Sequence, residues 1–271
     1  MPELPEITVL SQQMDKELVG KRVEGVEVKQ PKNLNMAVAD FSKTIAGKTV
    51  EDVSSRGKWL FVKLKPAYYL LINLGMGAEI LYFKKGQKLQ DNYHFRTVFS
   101  DQTGFTIHFW WFGYVHLVAK KDLQKHKMTG KLGKSATDKA FTLEHLNTLF
   151  EGKKGSLKSF LLDQKSIAGI GNVYAQDILF RAGLHPNRKI STLSKQEISG
   201  LYDAILETLN QSIKLGGAAF ERDFYGNRGG FTAADFLVGY KQGKPCPECG
   251  TTIEKVKTGS TSSYVCPSCQ K

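Results

Sequence analysis

Four cysteines near the end of the chain constrain its fold more than any other feature of the sequence. They form two Cys-x-x-Cys pairs separated by sixteen residues, and all lie within the last 26 residues: Cys246, Cys249, Cys266 and Cys269. This spacing favours one tetrahedral zinc ion held by four thiolates. Disulfides are the alternative, but adjacent Cys-x-x-Cys pairs bridge poorly and nothing in the sequence indicates an oxidising compartment. We therefore expect one structural Zn²⁺ in a small C-terminal β-hairpin.

Hydropathy patterning divides the remaining chain into a β-rich half and a helical half. After the opening prolines, apolar residues recur at helical spacing up to Leu18, and alternating segments typical of antiparallel strands follow to about residue 121. From about Thr142 the apolar spacing is helical again. The sequence predicts an α+β protein of three domains: an N-terminal β-sandwich or flattened barrel with a flanking helix (1–125), a helical domain (126–240) and the zinc finger (241–271).

The charge of the chain indicates a polyanionic partner. Lysine and arginine outnumber aspartate and glutamate by 38 to 26, which gives a formal net charge of +12. Clustered cations gain affinity for nucleic acid by releasing phosphate counterions, although a merely solubilising charge is the alternative. We find no apolar run of membrane-spanning length and no signal peptide. The sequence therefore predicts a cytoplasmic, nucleoid-associated protein.

The first six residues, MPELPE, allow two interpretations. If Met1 is removed, Pro2 becomes a secondary amine, and α-amino groups have a pKa of about 8, so part of it is unprotonated at neutral pH. Such an amine can attack a carbonyl and form an iminium ion, with Glu3 and Glu6 as proton donors and acceptors. The alternative is a plain helix start, in which proline and glutamate are both favoured. From these residues alone, the helix start is the favoured interpretation.

A glycine-rich turn precedes one of the predicted helices. Gly169 and Gly171 flank Ile170 just before the helix that begins near Asn172. Such a turn lets backbone N–H groups approach a phosphate at a helix N-terminus. The alternative is an ordinary connection between helices. With Lys158 upstream and Asn172 downstream, the pattern favours a clamp for the DNA backbone.

The order of these features resembles one family of DNA repair enzymes. PELPE, SRGKW, LGM, AGIGNVYA and a terminal four-cysteine finger occur in the order found in the formamidopyrimidine-DNA glycosylase and endonuclease VIII family. The resemblance runs from Pro2 to Lys271. It implies a monomeric base-excision-repair glycosylase with abasic-site lyase activity, which acts on damaged double-stranded DNA. It also implies that the helical domain is a helix–two-turn–helix domain.

The resemblance assigns the catalytic roles to residues near the N-terminus and in SRGKW. Pro2 matches the nucleophile that attacks the sugar C1′ of the damaged nucleotide, and Glu3 matches the acid/base residue beside it. Lys58 matches a lysine that contacts phosphate next to the catalytic centre. Glu6 matches a second acidic residue near the lesion pocket. Together these matches reverse the preference for a plain helix start.

Further matches imply contacts with the DNA. Met76 matches an apolar wedge that fills the gap left by a flipped base, which recovers part of the unstacking energy. Phe112 can act as a second wedge. The remaining candidates for phosphate contacts are side chains and one glycine turn of the helical domain and the finger: Lys158, Gly171, Asn172 and Lys257.

Two positions depart from the family pattern. Trp110 stands where the formamidopyrimidine type carries an arginine that contacts the base opposite the lesion, and an indole stacks on any base without selecting one. Thr261 stands where the finger usually carries an arginine that grips phosphates. A lost charge-assisted contact costs about 1.5–3 kcal/mol.

These departures leave open a lyase-only enzyme or a non-catalytic damage-binding protein, and they leave the damaged base and the opposite-base preference undefined. A third hypothesis is a zinc-ribbon factor that binds RNA or promoters. It explains the charge and the cysteines but gives PELPE no role.

Overall fold

The computed structural model describes residues 1–259 and 261–271 and divides the chain into two compact units. Unit 1 comprises Met1–Lys131 and Gly216–Gly229, and unit 2 comprises Leu132–Leu215 and Gly230–Lys271. The segment 216–229 therefore belongs to unit 1, whereas the sequence grouped it with the helical residues. The proposed domain boundaries at 125/126 and 240/241 stay predictions.

Unit 1 contains two α-helices and eight strands, and a short 3₁₀ helix at Lys120–Lys125 follows its last strand. The elements are α1 (Leu4–Leu18), β1 (Val23–Val28), α2 (Val38–Ile45), β2 (Thr49–Arg56), β3 (Trp59–Lys65), β4 (Tyr68–Asn73), β5 (Glu79–Phe83), β6 (Phe95–Phe99), β7 (Gly104–His108) and β8 (Tyr114–Ala119). The strands form two antiparallel sheets with the orders β2-β3-β4-β8 and β1-β6-β7-β5. The predicted β-sandwich with a flanking helix is confirmed.

A single hydrophobic core joins both sheets to α1. The helix contributes Ile7, Leu10, Met14 and Leu18, which recur at three- and four-residue spacing and are fully or almost fully buried. The same core contains side chains from β3 and β4 of one sheet and from β6 and β7 of the other. The apolar stripe of α1 is therefore buried, and the N-terminus of the helix is fixed against the sandwich.

The sequence segment 104–121 corrects one prediction. The alternation counted the whole segment as strand-like, but the chain forms β7, leaves that sheet at residues 109–113 and continues as β8. The two strands belong to different sheets. The apolar residues between them are therefore in a loop rather than in a strand, and alternation alone did not reveal the break.

The described residues of unit 2 form four α-helices and two pairs of strands. The elements are β9 (Lys134–Ser135), α3 (Leu143–Phe150), α4 (Leu157–Leu161), β10 (Ile167–Ala168), α5 (Asn172–Arg181), α6 (Lys195–Lys214), β11 (Glu254–Thr258) and β12 (Thr261–Val265). Side-chain oxygens of Thr142, Ser156 and Ser194 cap the starts of α3, α4 and α6. Strands β11 and β12 form an antiparallel hairpin, and a helical domain with a terminal zinc-finger hairpin is confirmed.

Within the described residues, no helix combines the length and the apolar character that crossing a bilayer requires.

Candidate active site

The start of α1 arranges two glutamates by a reciprocal capping box. The Glu3 side chain accepts the backbone N–H of Glu6, and Glu6 Oε2 accepts the backbone N–H of Glu3 at 2.8 Å. Pro2, Glu3 and Glu6 are all buried. The same residues therefore start the helix and place two buried glutamates beside Pro2. A helix start and a reactive N-terminus, the two interpretations of MPELPE, are compatible.

A buried ion pair lies beside this terminus. Lys58, in the tight turn between β2 and β3, places its Nζ 3.8 Å from Glu3 Oε1. Asn73 fixes the turn, because its Nδ2 donates to the Lys58 carbonyl at 2.9 Å. The structure thus brings Lys58 to Glu3, the neighbour of Pro2, although Lys58 is far from both in the sequence.

Glu221, which the sequence did not single out, is a third ionisable group near the terminus. Its Oε1 lies 3.5 Å from the amino group of Met1. Burial raises the pKa of this carboxyl, and the charge of Glu3 raises it further, whereas the N-terminal charge opposes the shift. Glu221 comes from a glycine-rich loop with several charged residues, and no local signal distinguishes it from Arg222 or Asp223.

Glu6 binds the segment Gly216–Gly229, which returns to unit 1 and is called the returning segment below, to α1. Its Oε1 accepts the backbone N–H of Ala218 at 2.9 Å, while Oε2 caps the helix. Gly217 has a φ of +87°, and a Cβ at this position would lie 3.0 Å from Glu6 Cγ. The close approach of the two segments therefore requires glycine.

The rest of the returning segment is anchored in the core of unit 1. Phe224 is fully buried, and its backbone N–H donates to Gln13 Oε1 at 2.8 Å. Tyr225 donates its hydroxyl to Glu17 at 2.9 Å; burial and this contact raise the pKa of Tyr225 to about 12. The loop that holds Glu221 is thus tied to α1 along its length.

An aromatic cluster supports the strand that follows Lys58. Trp59 stacks on Tyr114, with ring centroids 5.9 Å apart, and meets His126 edge-on. His116 Nδ1 lies 2.8 Å from His126 Nε2, so one imidazole donates to the other. Burial, together with the charge of His126, lowers the pKa of His116 to about 4.

The two loops that cross between the sheets lie side by side. Residues 74–78 connect β4 to β5, and residues 109–113 connect β7 to β8. In the sheets, Asn73 pairs with Tyr114 and Glu79 with His108, so both crossings start and end at neighbouring positions. This strand register brings the candidate wedges together: Met76, Trp110 and Phe112.

Unit 2 holds the predicted glycine turn in a defined conformation. Gln164 donates through Nε2 to the Ile170 carbonyl and accepts the Gly169 N–H, at 2.8 and 2.9 Å. Gly169 has a φ of +108°, which favours glycine. Asn172 is the first residue of α5, and its Oδ1 is buried without a hydrogen-bond partner in the described part of the chain.

Lys158 reaches into the zinc-finger hairpin. The side chain belongs to α4, is almost fully buried and has its ammonium within 2.8–2.9 Å of four uncharged oxygens: Thr258 Oγ1, Thr261 Oγ1, the Ser262 carbonyl and Ser263 Oγ. Burial lowers the pKa of Lys158 to about 8. A cation therefore lies beside Thr261, although the sequence lacks an arginine there. Lys257 is exposed on β11.

The four cysteines are arranged as a zinc site requires. Their sulfur atoms all lie within 4.8 Å of one another. Three of the separations are 3.4 Å (Cys249–Cys269), 3.5 Å (Cys249–Cys266) and 3.8 Å (Cys246–Cys269). Zn–S bonds of about 2.3 Å in a tetrahedron place sulfurs about 3.8 Å apart, so the donor set fits one structural Zn²⁺.

Three family models match successive parts of the chain. The formamidopyrimidine-DNA glycosylase N-terminal domain matches residues 1–112, and the H2TH domain of the same glycosylase matches residues 132–223. The zinc finger found in FPG and IleRS matches residues 243–271. The matches follow the order of the sandwich, the helical region and the hairpin.

Relatives of known name align over the whole chain. Formamidopyrimidine-DNA glycosylase of Pelotomaculum thermopropionicum is 38% identical over 277 residues, which cover 100% of this chain and 99% of the relative. The enzyme of that name from Gluconobacter oxydans is 33% identical and covers 100% of both chains.

Solved structures of the Lactococcus lactis Fpg protein are also similar. Its complex with abasic-site DNA has a TM-score of 0.89 and 26% identity, covering 99% of both chains. Its complex with DNA that contains Fapy-dG has the same TM-score and identity, and it covers 99% of this chain and 100% of the other.

Proposed function

The chain belongs to the formamidopyrimidine-DNA glycosylase family, and we propose that Pro2 is the nucleophile with which it removes a damaged base and cleaves the abasic site. It is a base-excision-repair enzyme that binds damaged DNA. The observation that carries the proposal is the position of the buried Pro2 between two residues that each have an ionisable partner: Met1, whose amino group faces Glu221, and Glu3, which faces Lys58. We further propose that it acts as a monomer on double-stranded DNA in the cytoplasm.

Removal of Met1 frees the amine that performs the reaction. The Pro2 nitrogen attacks C1′ of the damaged nucleotide, the glycosidic bond breaks and the base leaves with a proton. Opening of the sugar ring then gives an iminium ion between the Pro2 nitrogen and C1′. The iminium acidifies the C2′ hydrogen, and loss of this proton expels the 3′ phosphate. Hydrolysis of the iminium releases the cleaved strand from the enzyme.

The buried carboxyls supply and accept the protons of these steps. Glu3, paired with Lys58, is the base or acid at the sugar ring. Glu221 has a raised pKa, so its carboxyl holds a proton to higher pH than an exposed glutamate does. We propose Glu221 as the proton donor on the other side of the N-terminus, with Glu6 fixing its loop through Ala218.

The contacts of unit 2 suit the phosphate backbone. We propose that Lys158 replaces the missing arginine at Thr261, because its ammonium lies 2.9 Å from Thr261 Oγ1 at the hairpin. Gly171 and Asn172 would hold a phosphate at the start of α5. The buried amide oxygen of Asn172 has no partner among the described residues, so the side chain gains by turning when its Nδ2 donates to a phosphate. Lys257 would add an exposed cation from β11. Zn²⁺ bound by the four cysteines would stabilise the hairpin that carries Lys257 and Thr261.

Borohydride trapping on abasic-site DNA tests the nucleophile. Reduction of the iminium links enzyme and DNA covalently, so the processed protein should form a stable adduct. An intact mass should first show the loss of one methionine. Pro2→Gly and a protein that retains Met1 should reduce adduct formation to a small fraction of the wild-type level.

Pro5→Ala is the matched control, because Pro5 is the other proline of MPELPE and lies within the first turn of α1. We expect this variant to form the adduct. Equal trapping by a protein whose N-terminus is blocked would refute Pro2 as the nucleophile. A panel of DNAs with different modified bases would then define the damaged base.

A further inference from the structure

The two crossing loops expose an unusual apolar surface. We call Met76, Trp110, Trp111 and Phe112 the apolar platform; their exposed fractions are 49%, 70%, 71% and 41%. Two adjacent tryptophans that are each more than two-thirds exposed are costly to solvate, because an indole offers a large apolar area and one polar N–H. The exposed faces indicate a ligand with flat apolar surfaces.

The platform is held rigidly at its base. The Phe109 backbone N–H donates to His94 Nδ1 at 2.9 Å, and the Gly113 carbonyl accepts Asn33 Nδ2 at 2.6 Å. At Gly75, a Cβ would lie 1.8 Å from the Phe112 carbonyl oxygen, so the two loops are in direct backbone contact. The backbone that carries the indoles is therefore held in place, which lowers the entropy cost of ordering the loop on binding.

The surroundings of the platform favour an anionic ligand. His94 stacks on His108, with centroids 4.9 Å apart, and Trp110 packs edge-on against His108. Burial lowers the pKa of His94, and the charges of His108, Lys32 and Lys29 lower it as well, so cations lie near this histidine. A nucleic acid strand combines negative charge with flat bases, which aromatic side chains stack upon without regard to sequence.

The number of exposed side chains exceeds what one flipped nucleotide requires. A nucleotide rotated out of a duplex leaves one gap, which one or two apolar side chains can fill. Met76 and Phe112 are sufficient for this gap. Trp110 and Trp111 add two further indole faces. In a fully paired duplex the other bases are already stacked on both sides, so they offer these indoles no free face.

We propose that Trp110 and Trp111 stack on unpaired bases of the strand that faces the lesion, so that the preferred substrate is damage in locally unpaired DNA. The proposal rests on the proposed function, since it places the platform at the lesion through Met76 and Phe112. It names a substrate class, a lesion within a bubble or a similar unpaired stretch. The facing bases are bound whatever their identity, because an indole lacks the paired donors that select a base.

Affinity and fluorescence measurements on matched DNAs test the proposal. An abasic-site analogue is placed in a fully paired duplex and in a duplex whose facing strand has a short unpaired stretch. The wild type should bind the unpaired form at least about tenfold more tightly, and it should quench tryptophan emission more strongly. Trp59 is buried and supplies the unquenched baseline.

Variants separate stacking from general binding. The double variant Trp110→Ala, Trp111→Ala should bring the affinity ratio of the two DNAs to about one, whereas Trp110→Phe, Trp111→Phe should keep much of it. Val19→Ala, at an exposed apolar residue outside the platform, should leave the ratio unchanged. Thermal unfolding verifies that the variants are folded.

The outcomes distinguish this inference from the proposed function. Normal trapping on paired DNA without a preference for the unpaired form would overturn the inference and leave Pro2 chemistry intact. A preference that persists in the double alanine variant would also overturn it. Absent trapping with quenching confined to unpaired DNA would refute the proposed function instead. Self-association of the wild type that the alanine variant abolishes, without quenching by DNA, would identify a second copy as the occupant.

Discussion

Buried charges at single residues are stabilised in two different ways. Lys58 and Glu3 form an ion pair, so each charge compensates the other at low solvent exposure. Among the described residues, the oxygens that accept from the Lys158 ammonium are uncharged, and burial lowers its pKa. The first arrangement retains a carboxylate beside the N-terminus, and the second retains a cation that a phosphate could stabilise.

His116 makes unit 1 sensitive to acid. In the unfolded chain a histidine binds a proton near pH 6.5, whereas folded His116 remains neutral down to about pH 4. Between these values the unfolded state binds more protons, so the free energy of unfolding falls as the pH falls. Chemical denaturation across this range should show a smaller fall for His116→Phe than for the wild type.

The difference between the two pH slopes is the informative quantity, because His116→Phe also removes the hydrogen bond to His126 and lowers stability at neutral pH. Parallel pH dependences of the two proteins would contradict the assignment of this acid sensitivity to His116.

At the scale of elements, the two loops between the sheets form one unit because their backbones are in contact. Residues 74–78 and 109–113 each join one sheet to the other, and Gly75 lets their backbones touch. Gly75 has a φ of +58° and lies against the Phe112 carbonyl. A side chain there would be strained by its backbone conformation and by a backbone clash that cannot be relieved by a rotamer change.

Gly75→Ala should therefore separate the loops. We expect a loss of more than about 3 kcal/mol in the free energy of unfolding, together with weaker binding of abasic-site DNA. Gly86→Ala is the matched control, because Gly86 has a φ of +75° but open space around the Cβ position. That variant should lose about 1–2 kcal/mol from backbone strain alone. Similar losses in denaturant unfolding for both variants would contradict the close contact.

At the scale of the whole molecule, the charge of +12 should dominate the affinity for DNA. Each phosphate that a lysine neutralises releases counterions, so the logarithm of the binding constant falls linearly with the logarithm of salt concentration. Lys257→Met should reduce this slope by about one if the exposed Lys257 contacts a phosphate.

Lys139→Met is the control for this measurement, because Lys139 is exposed in the same unit and belongs to none of the proposed sites. Its slope should remain closer to that of the wild type. An unchanged slope for Lys257→Met would remove Lys257 from the set of phosphate contacts, whatever its effect on affinity at one salt concentration.

Local patterns in the sequence determined much of this protein. The Cys-x-x-Cys spacing predicted the zinc site because zinc ligands come in short, fixed pairs. Apolar periodicity predicted α1 and most strands, since burial on one face imposes a repeat on the residues. The family motifs predicted the glycosylase fold and activity. Patterning did not identify α2 or β2, whose shorter apolar pattern is weak in the sequence.

Only the tertiary structure decided which distant residues meet. Glu221 lies near Met1 because 216–229 returns to unit 1, and this return depends on Glu6 and Ala218 rather than on any pattern near Glu221. Lys158 reaches Thr261 through helix packing on the hairpin. The apolar platform exists because strand register places two crossings side by side. Such contacts arise from pairing and packing of distant segments, and a linear sequence encodes them only through the whole fold.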